Sequence, residues 1–416
     1  MGYRYSWRLS LHILFLSDNF PPEVNACASR VFERACYWSQ WGYQVTIITS
    51  APNFPEGKLF PGYKNKWYQK EYIQGIHVIR VKTFIAANRG VFFRILDFFS
   101  YMLMAFLAGL KQKKTDVVIA TSPQFFAAVG GWILAKVKRA PFIFELSDLW
   151  PESITAVGAM RPSFALRQIE RLELKMYHQA KAIIALTAAF KTNLINRGIN
   201  REKIHVITNG VDLTRFDRQP KNQFLIEKHQ LSNRFIIGYI GTIGMAHDLQ
   251  QMVTVAEKCH NKNLLFMFIG AGSETNQLIE RIKDIENILI LSRQPKSEIS
   301  KYWSVCDIAL VHLKNDPAFA HVIPSKIFEI MGMGLPICCI APDGQATQLI
   351  KKTQAGICLP CEQHDLIAEK LCQLSKDPKQ LETWANNSYQ ARLNYTRELQ
   401  AKKMLAVIQE VCQNDC

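Results

Sequence analysis

Short, apolar, β-branched runs recur along this chain, each followed by a longer stretch of helical period, and that alternation restricts the fold more than any other feature. The runs are LHILFLS, QVTIITS, IHVIRVK, DVVIATS, APFIFELS, KAIIALT and IHVITNG, then FIIGYIGT, LLFMFIG, ILILS, IALVHL and PICCIA. Strands that are almost continuously apolar are buried on both faces, and the stretches between them are long enough for crossover helices. The pattern predicts parallel α/β sheets covered by helices. Two series of runs within 416 residues predict two doubly wound domains. The polar, turn-rich NGVDLTRFDRQPKNQ places the hinge within residues 196–222, between one domain over residues 1–200 and another over residues 201–389. After residue 375 only helical periodicity remains, so a last helix within residues 390–416 is expected to pack back on the first domain.

Charge and cysteine usage narrow the partners. The formal charge is +15, and residues 1–195 hold 24 Lys and Arg against 12 Asp and Glu, so the first half carries +12. A basic half beside a nearly neutral one predicts that the first domain faces an anionic substrate, membrane phosphates or nucleic acid. The aromatic and basic interleaving of single-strand binders is missing. Eleven cysteines without a repeating spacing, several inside apolar runs such as LPICCI, read as reduced core thiols of a cytoplasmic protein. The CxxC of Cys358 and Cys361 has no second pair with which to build a zinc site. LHILFLSDNFPPE has signal-like hydropathy but no small-x-small cleavage site, and is read as a buried first strand.

Residues 89–114, RGVFFRILDFFSYMLMAFLAGLKQKK, stand apart. Their apolar run from Phe98 to Leu110 is too short for a bilayer that needs about 20 residues. Arg94, Asp97 and Ser100 form a narrow polar stripe, and Arg89, Lys111, Lys113 and Lys114 flank it. The segment is either a helix lying in a membrane interface or a core helix beside the sheet.

Ligands of open α/β sheets bind outside the carboxyl ends of the strands. GYIGTIGMAHDL, residues 238–249, runs from a strand into a loop with Gly241 and Gly244, where the backbone can approach a diphosphate. FIGAGSE repeats the design, and LSRQPKSEI exposes Arg293 and Gln294 after a third strand. A tight packing turn would look the same. HVIPSKIFEIMGMGLP places one lysine and one glutamate inside an apolar segment: with Ser325 capping a helix, Lys326 and Glu329 share one face. An ammonium near a phosphate and a carboxylate within reach of two vicinal hydroxyls suit a nucleotide, whereas the apolar neighbours argue against a solvated ion pair. In the first half, SDNFPPEVNACASR and FELSDLWPES follow strands, and Asp148 and Glu152 could orient a hydroxyl or take its proton, or Asp148 could simply cap a helix.

Seven motifs, FPPEVNACASR, PNFPEGKLFPGY, ATSPQFFAAVGGW, DLWPES, KIHVITNGVDLTRF, GYIGTIGMAHDL and IPSKIFEIMGMGLP, occur in this order over nearly the whole chain. Together they resemble the bacterial glycosyltransferases of family 4, and within them the N-acetyl-L-fucosaminyltransferases of O-antigen and colanic acid clusters. The resemblance implies a GT-B fold, two Rossmann-like domains facing a cleft, with a nucleotide-sugar donor on the second and an acceptor on the first. It implies that Glu329 binds the donor ribose and that Lys326, Ser325, His247 and the backbone of Gly241, Thr242 and Gly244 meet the diphosphate. Arg293 and Gln294 would lie near the base and Asn209 at the cleft floor. Asp148, Glu152 and Lys326 would serve the reaction, and Asn25, Ala26, Arg30 and Trp150 the acceptor. Also implied are retention of configuration, no metal or cofactor, and a UDP-sugar such as that of L-FucNAc. The acceptor would be an undecaprenyl-diphosphate-linked saccharide, and the protein would sit on the cytoplasmic face of the inner membrane with no nucleic-acid partner. The chain departs from the family at His321, eight positions before Glu329, where many members carry a glutamate, and at Met245, Ala246 and His247, where basic residues are usual. A nucleotide-sugar 2-epimerase of the same fold, or a non-enzymatic basic protein on membrane or nucleic acid, would share parts of the pattern.

Overall fold

The computed structural model describes residues 11–54, 56–85, 91–122, 124–149, 164–259, 261 and 263–414. The chain divides into two compact units, Met1–Thr208 with Arg397–Cys416, and Asn209–Thr396. The divide falls at 208/209 rather than 200/201 because the last strand of the first sheet, Ile204–Val206, still pairs with its neighbour. Residues 390–396 stay with the second unit, where Val211 bridges to Thr396.

The first unit contains β1 (His12–Leu16), α1 (Ala26–Gln40), β2 (Gln44–Ser50), β3 (Tyr68–Ile73), β4 (Ile76–Val81), α2 (Val91–Leu110), β5 (Val117–Thr121), α3 (Phe125–Lys138), β6 (Phe142–Leu146), α4 (Phe164–Gln179), β7 (Ala182–Ala185), α5 (Ala188–Asn196) and β8 (Ile204–Val206). Its described strands form one sheet in the order β3-β4-β2-β1-β5-β6-β7-β8. Every pairing is parallel except β3 with β4, an edge hairpin turned by Gln74 and Gly75, both at positive φ. The sequence reading missed β3 because YQKEYI alternates exposed and half-buried residues instead of presenting an apolar run. β1 and β5 are buried throughout, as a sheet covered on both faces requires.

The second unit contains α6 (Gln223–Lys228), β9 (Phe235–Ile240), α7 (Gln250–Lys258), β10 (Leu264–Ile269), α8 (Thr275–Arg281), β11 (Ile288–Leu291), α9 (Ile299–Ser304), β12 (Ile308–His312), α10 (Lys326–Met333), β13 (Ile337–Ile340), α11 (Gln345–Thr353), β14 (Gly356–Leu359), α12 (His364–Leu374) and α13 (Pro378–Ala391). Its sheet is wholly parallel in the order β11-β10-β9-β12-β13-β14. Apolar clusters cover both faces, one including Trp303, Ile327, Phe328 and Met331, the other Tyr239, Phe266, Phe268 and Leu371.

The last helix, α14 (Arg397–Gln413), belongs to the first unit. It joins the core under α1 through Met404, Leu405 and Ile408, and its Ala401 carbonyl accepts the Trp38 indole N–H at 3.1 Å.

Candidate active site

In the second sheet the strand order reverses between β9 and β12, the kind of crevice where α/β sheets hold ligands. Gly241 leaves β9 with φ +150°, and a Cβ there would stand 2.8 Å from Lys326 Nζ, so only glycine leaves the lysine its place. The loop is pinned to the next strand end, with Gly241 N–H donating to Ile269 O at 2.9 Å and Ile243 N–H to Ala271 O at 3.1 Å. Thr242 is exposed, Gly244 is buried, and the Thr242 carbonyl accepts the Tyr239 hydroxyl at 2.5 Å.

Lys326 opens α10 and is 8% exposed. Its ammonium lies 3.5 Å from the centre of the Tyr239 ring and has no hydrogen-bond acceptor. A π-face compensates part of the lost hydration but satisfies none of three N–H donors directionally. Burial brings the group down to about 7, with Glu329, one turn along the helix and half-buried, acting in the opposite sense. The first N–H groups of α10 have no intrahelical acceptors. Ser325 was expected to cap them, but its backbone is already helical and its hydroxyl makes no capping bond. The turn is closed instead by Ile327 N–H to Pro324 O and Phe328 N–H to Ser325 O, both 3.1 Å.

Two histidines join the loop to β12. His247 Nδ1 lies 3.3 Å from the His312 carbonyl, and His312 Nδ1 lies 2.6 Å from the His247 carbonyl. Carbonyls only accept, so both rings carry hydrogen on Nδ1 and leave Nε2 as an acceptor. Burial, then the Lys326 charge, lowers His247 to about 3, and burial lowers His312 to about 4. An ammonium without a hydrogen-bond acceptor, the start of α10 and a glycine turn thus lie together, an arrangement suited to a diphosphate. The structure brings Gly241, His247 and Lys326 together. Arg293, expected near the base, is exposed, and the Gln294 amide donates to Ser292 O at 2.9 Å. Asn209 is buried at the first residue of this unit.

The first sheet reverses between β1 and β5, and there the structure shows residues the sequence reading passed over. Asp18 follows β1 and Gln124 precedes α3; the Gln124 amide donates to Asp18 Oδ2, as does the Asn19 amide at 3.4 Å. Asp18 Oδ1 and Gln124 Oε1 are buried with no partner. Burial, then Asp97 and Glu23, pushes the Asp18 carboxyl well above the usual range. Of the residues expected to meet an acceptor, Asn25 caps α1, its Oδ1 accepting Ala28 N–H at 2.8 Å and its amide donating to Asn19 Oδ1 at 2.6 Å. Ala26 is exposed on the first turn. Arg30 is 2% exposed, its guanidinium engaged by Glu145, Thr121 and Ser147, so its charge is spent inside the unit. Asp148 is half-buried after β6, while Trp150 and Glu152 lie outside the described residues. Among the described residues, no three or more His, Cys, Asp or Glu side chains are grouped to hold a metal ion.

The family profile described as Glycosyltransferase Family 4 matches residues 28–215, and the profile described as Glycosyl transferases group 1 matches residues 221–391. The chain belongs to glycosyltransferase family 4. The transferase is 22% identical over 334 residues to the "Putative colanic acid biosynthesis glycosyl transferase WcaI" of Escherichia coli (strain K12), covering 78% of this chain and 82% of that relative. Among solved structures it is similar to the sucrose-phosphate synthase of Thermosynechococcus elongatus, with TM-score 0.75, 14% identity, and 96% and 99% of the two chains covered. It is similar also to Anabaena Alr3699/HepE in complex with UDP-glucose, with TM-score 0.72, 14% identity, and 96% and 100% covered. The fold is therefore of GT-B type, two Rossmann-like α/β units.

Tyr239, His312, Asp18 and Gln124 were missed from sequence. His312 did leave a signal, a lone imidazole ending the otherwise apolar IALVH; Tyr239 is one more aromatic in a buried strand and left none.

Proposed function

We propose that this family 4 transferase moves a sugar from a UDP-sugar to a polyprenyl-diphosphate-linked saccharide during synthesis of a cell-surface polysaccharide, with retention of configuration and without a metal. The observation that carries the reading is the buried ammonium of Lys326, which has a helix start and a glycine turn around it and no anion of its own. Charge that develops on the leaving diphosphate would be met by that ammonium and by the positive end of the α10 dipole, preorganised where it appears. The departing phosphate oxygen can take the proton of the incoming hydroxyl, so no strong base is required. The unpaired Asp18 Oδ1 and Gln124 Oε1 supply buried polar partners for acceptor hydroxyls. Uridine as the base is supported by the UDP-glucose complex of HepE, polysaccharide synthesis by the name of the E. coli relative, and an N-acetylated deoxyhexosamine such as L-FucNAc by the motif resemblance. A place on the cytoplasmic face of the inner membrane is supported by α2, whose Ile95, Leu96, Phe99, Leu103, Leu107 and Leu110 are exposed and which is followed by the exposed Lys111, Lys113 and Lys114, although no described helix is long and apolar enough to cross a membrane.

The test is titration of the full chain with UDP and with GDP, followed by incubation with UDP-L-FucNAc and a polyprenyl-diphosphate-linked sugar. UDP at 100 times its Kd is expected to stabilise by about 2.7 kcal/mol, and transfer is expected only with both substrates present. Lys326→Met should weaken the UDP response and abolish transfer. An epimerised nucleotide sugar formed from donor alone, or stabilisation by GDP and not UDP, would overturn the reading.

A further inference from the structure

A second chemical site lies on β13, β14 and α11, among residues that the donor reading does not use. The ladder pairs Cys339 of β13 with Cys358 of β14. Paired Cα atoms of neighbouring strands stand about 4.8 Å apart, inside the range that a disulfide spans. Side chains of directly paired residues point to the same face, and both thiols pack with the same apolar cluster. The two are ladder partners, and the Cys358 thiol reaches the Thr347 carbonyl at 3.6 Å.

Their surroundings differ. Cys339 is completely buried, whereas Cys358 is half-buried and lines a cavity of about 420 Å³ together with Asn315, Asp343, Thr347 and Lys351. The Lys351 ammonium stands over this cavity, held by Asp343 at 2.8 Å. The neighbouring Cys339 thiol, then Lys351, draws the Cys358 thiol below its ordinary value against burial and the Asp343 charge, while Cys339 is pushed well up. The CxxC partner behaves otherwise. Cys361 sits in the cluster on the opposite face of the sheet, spends its S–H on Leu313 O at 3.7 Å, and is pushed by burial up to about 11. Cys338 belongs to that opposite face as well.

We propose that Cys358 is a reactive thiol which a peroxide oxidises, and that it then closes a disulfide with Cys339 across the β13–β14 ladder rather than with Cys361. The Cys358 thiolate attacks one peroxide oxygen and the O–O bond breaks. Sulfur is oxidised by two electrons to the sulfenic acid, and the other oxygen leaves as hydroxide and takes a proton from solvent. Cys339 sulfur then attacks the sulfenyl sulfur: the S–S bond forms, the S–O bond breaks, and the Cys339 proton leaves with that oxygen as water. Two thiols and one peroxide give one disulfide and two waters.

The experiment treats the reduced full chain with limiting hydrogen peroxide, blocks remaining thiols with N-ethylmaleimide and maps the peptides by fragmentation between Cys338 and Cys339 and between Cys358 and Cys361. The expected product is a Cys339–Cys358 link. Cys361→Ser should still form it, Cys358→Ser should not, and Cys339→Ser should leave a sulfenic acid on Cys358 that dimedone traps. Without peroxide, Cys358 should alkylate about tenfold faster than Cys361, as its more accessible and more ionised thiol requires. A link through Cys361, or equal alkylation of Cys358 and Cys361, would each overturn the proposal. None of these readouts depends on transfer activity.

Discussion

Leaving an ammonium buried without an acceptor is costly, and Lys326 concentrates that cost where the loop from β9 meets α10. The same feature gives ligand binding a pH signature. In the free protein Lys326 is charged below about 7 and loses its proton above it. A diphosphate favours the charged form, so binding raises the pKa toward its ordinary value. Affinity for UDP should therefore be full below about pH 7 and fall as the pH rises, by at most about tenfold per unit. His247 and His312 titrate near 3 and 4 and are neutral through this window, so they add no slope. Calorimetric titrations between pH 7 and 9 should show UDP binding weakening in the wild type; Lys326→Met should bind weakly at pH 7 with a flat profile. An equal slope in both proteins would place the titrating group elsewhere.

Between elements, the decisive contact of the first unit is the buried triad that joins α1 to β6. Arg34 Nη1 donates to Glu145 Oε1, and Arg30 Nε reaches the same oxygen at 3.2 Å, with Glu145 0% exposed. Burial by itself would raise the Glu145 carboxyl, but the two guanidinium groups and their hydrogen bonds bring it to about 2. A carboxylate depressed from 4.5 contributes stability that is complete above about pH 4.5 and lost as the pH falls through 2, about 3 kcal/mol in all. Glu145→Gln leaves two buried guanidinium groups without a counter-charge and should cost about 3–5 kcal/mol, read as a lowered first unfolding transition in calorimetry. A variant that melts with the wild type would show the triad to be dispensable. This contact also shows where sequence is legible. The strands buried on both faces could be read from their continuous apolar runs, and so could the Lys326 and Glu329 pair, because two charges inside an apolar segment stand out. The edge strand β3 and the short β14 lack such runs. Arg30 came to the acceptor only through the motif resemblance, and its buried partner could not be read because it lies 115 positions away, a pairing that only the parallel order of the sheet creates.

Across the whole molecule the charge of +15 resides mainly in the first half, and the same half exposes the apolar face of α2. Leu103 is 48% exposed and Leu107 44%, one turn apart, while Tyr101, Ala105 and Ala108 on the other side are buried. One side of the helix thus serves the core, as one of the two sequence readings has it, and the other side is exposed. On α3, Ile133 and Val137 are exposed too, and Lys111, Lys113, Lys114, Lys136 and Arg139 are exposed at the ends of the two helices. Apolar side chains bordered by cations match an anionic bilayer surface, where each basic residue contributes about 1 kcal/mol and screening weakens it. Co-sedimentation of the full chain with vesicles should therefore show binding that increases with anionic lipid and decreases with salt. A residue of binding should survive high salt because the apolar contacts are not screened. The paired change Leu103→Glu with Leu107→Glu puts carboxylates at exposed positions, which leaves the fold and UDP binding intact and removes the salt-resistant part. Exchanging Lys111, Lys113 and Lys114 for Gln should do the reverse, removing the salt-sensitive part first. Binding that is indifferent to both sets of changes would assign the basic half to a soluble polyanion and leave α2 without a role at the membrane.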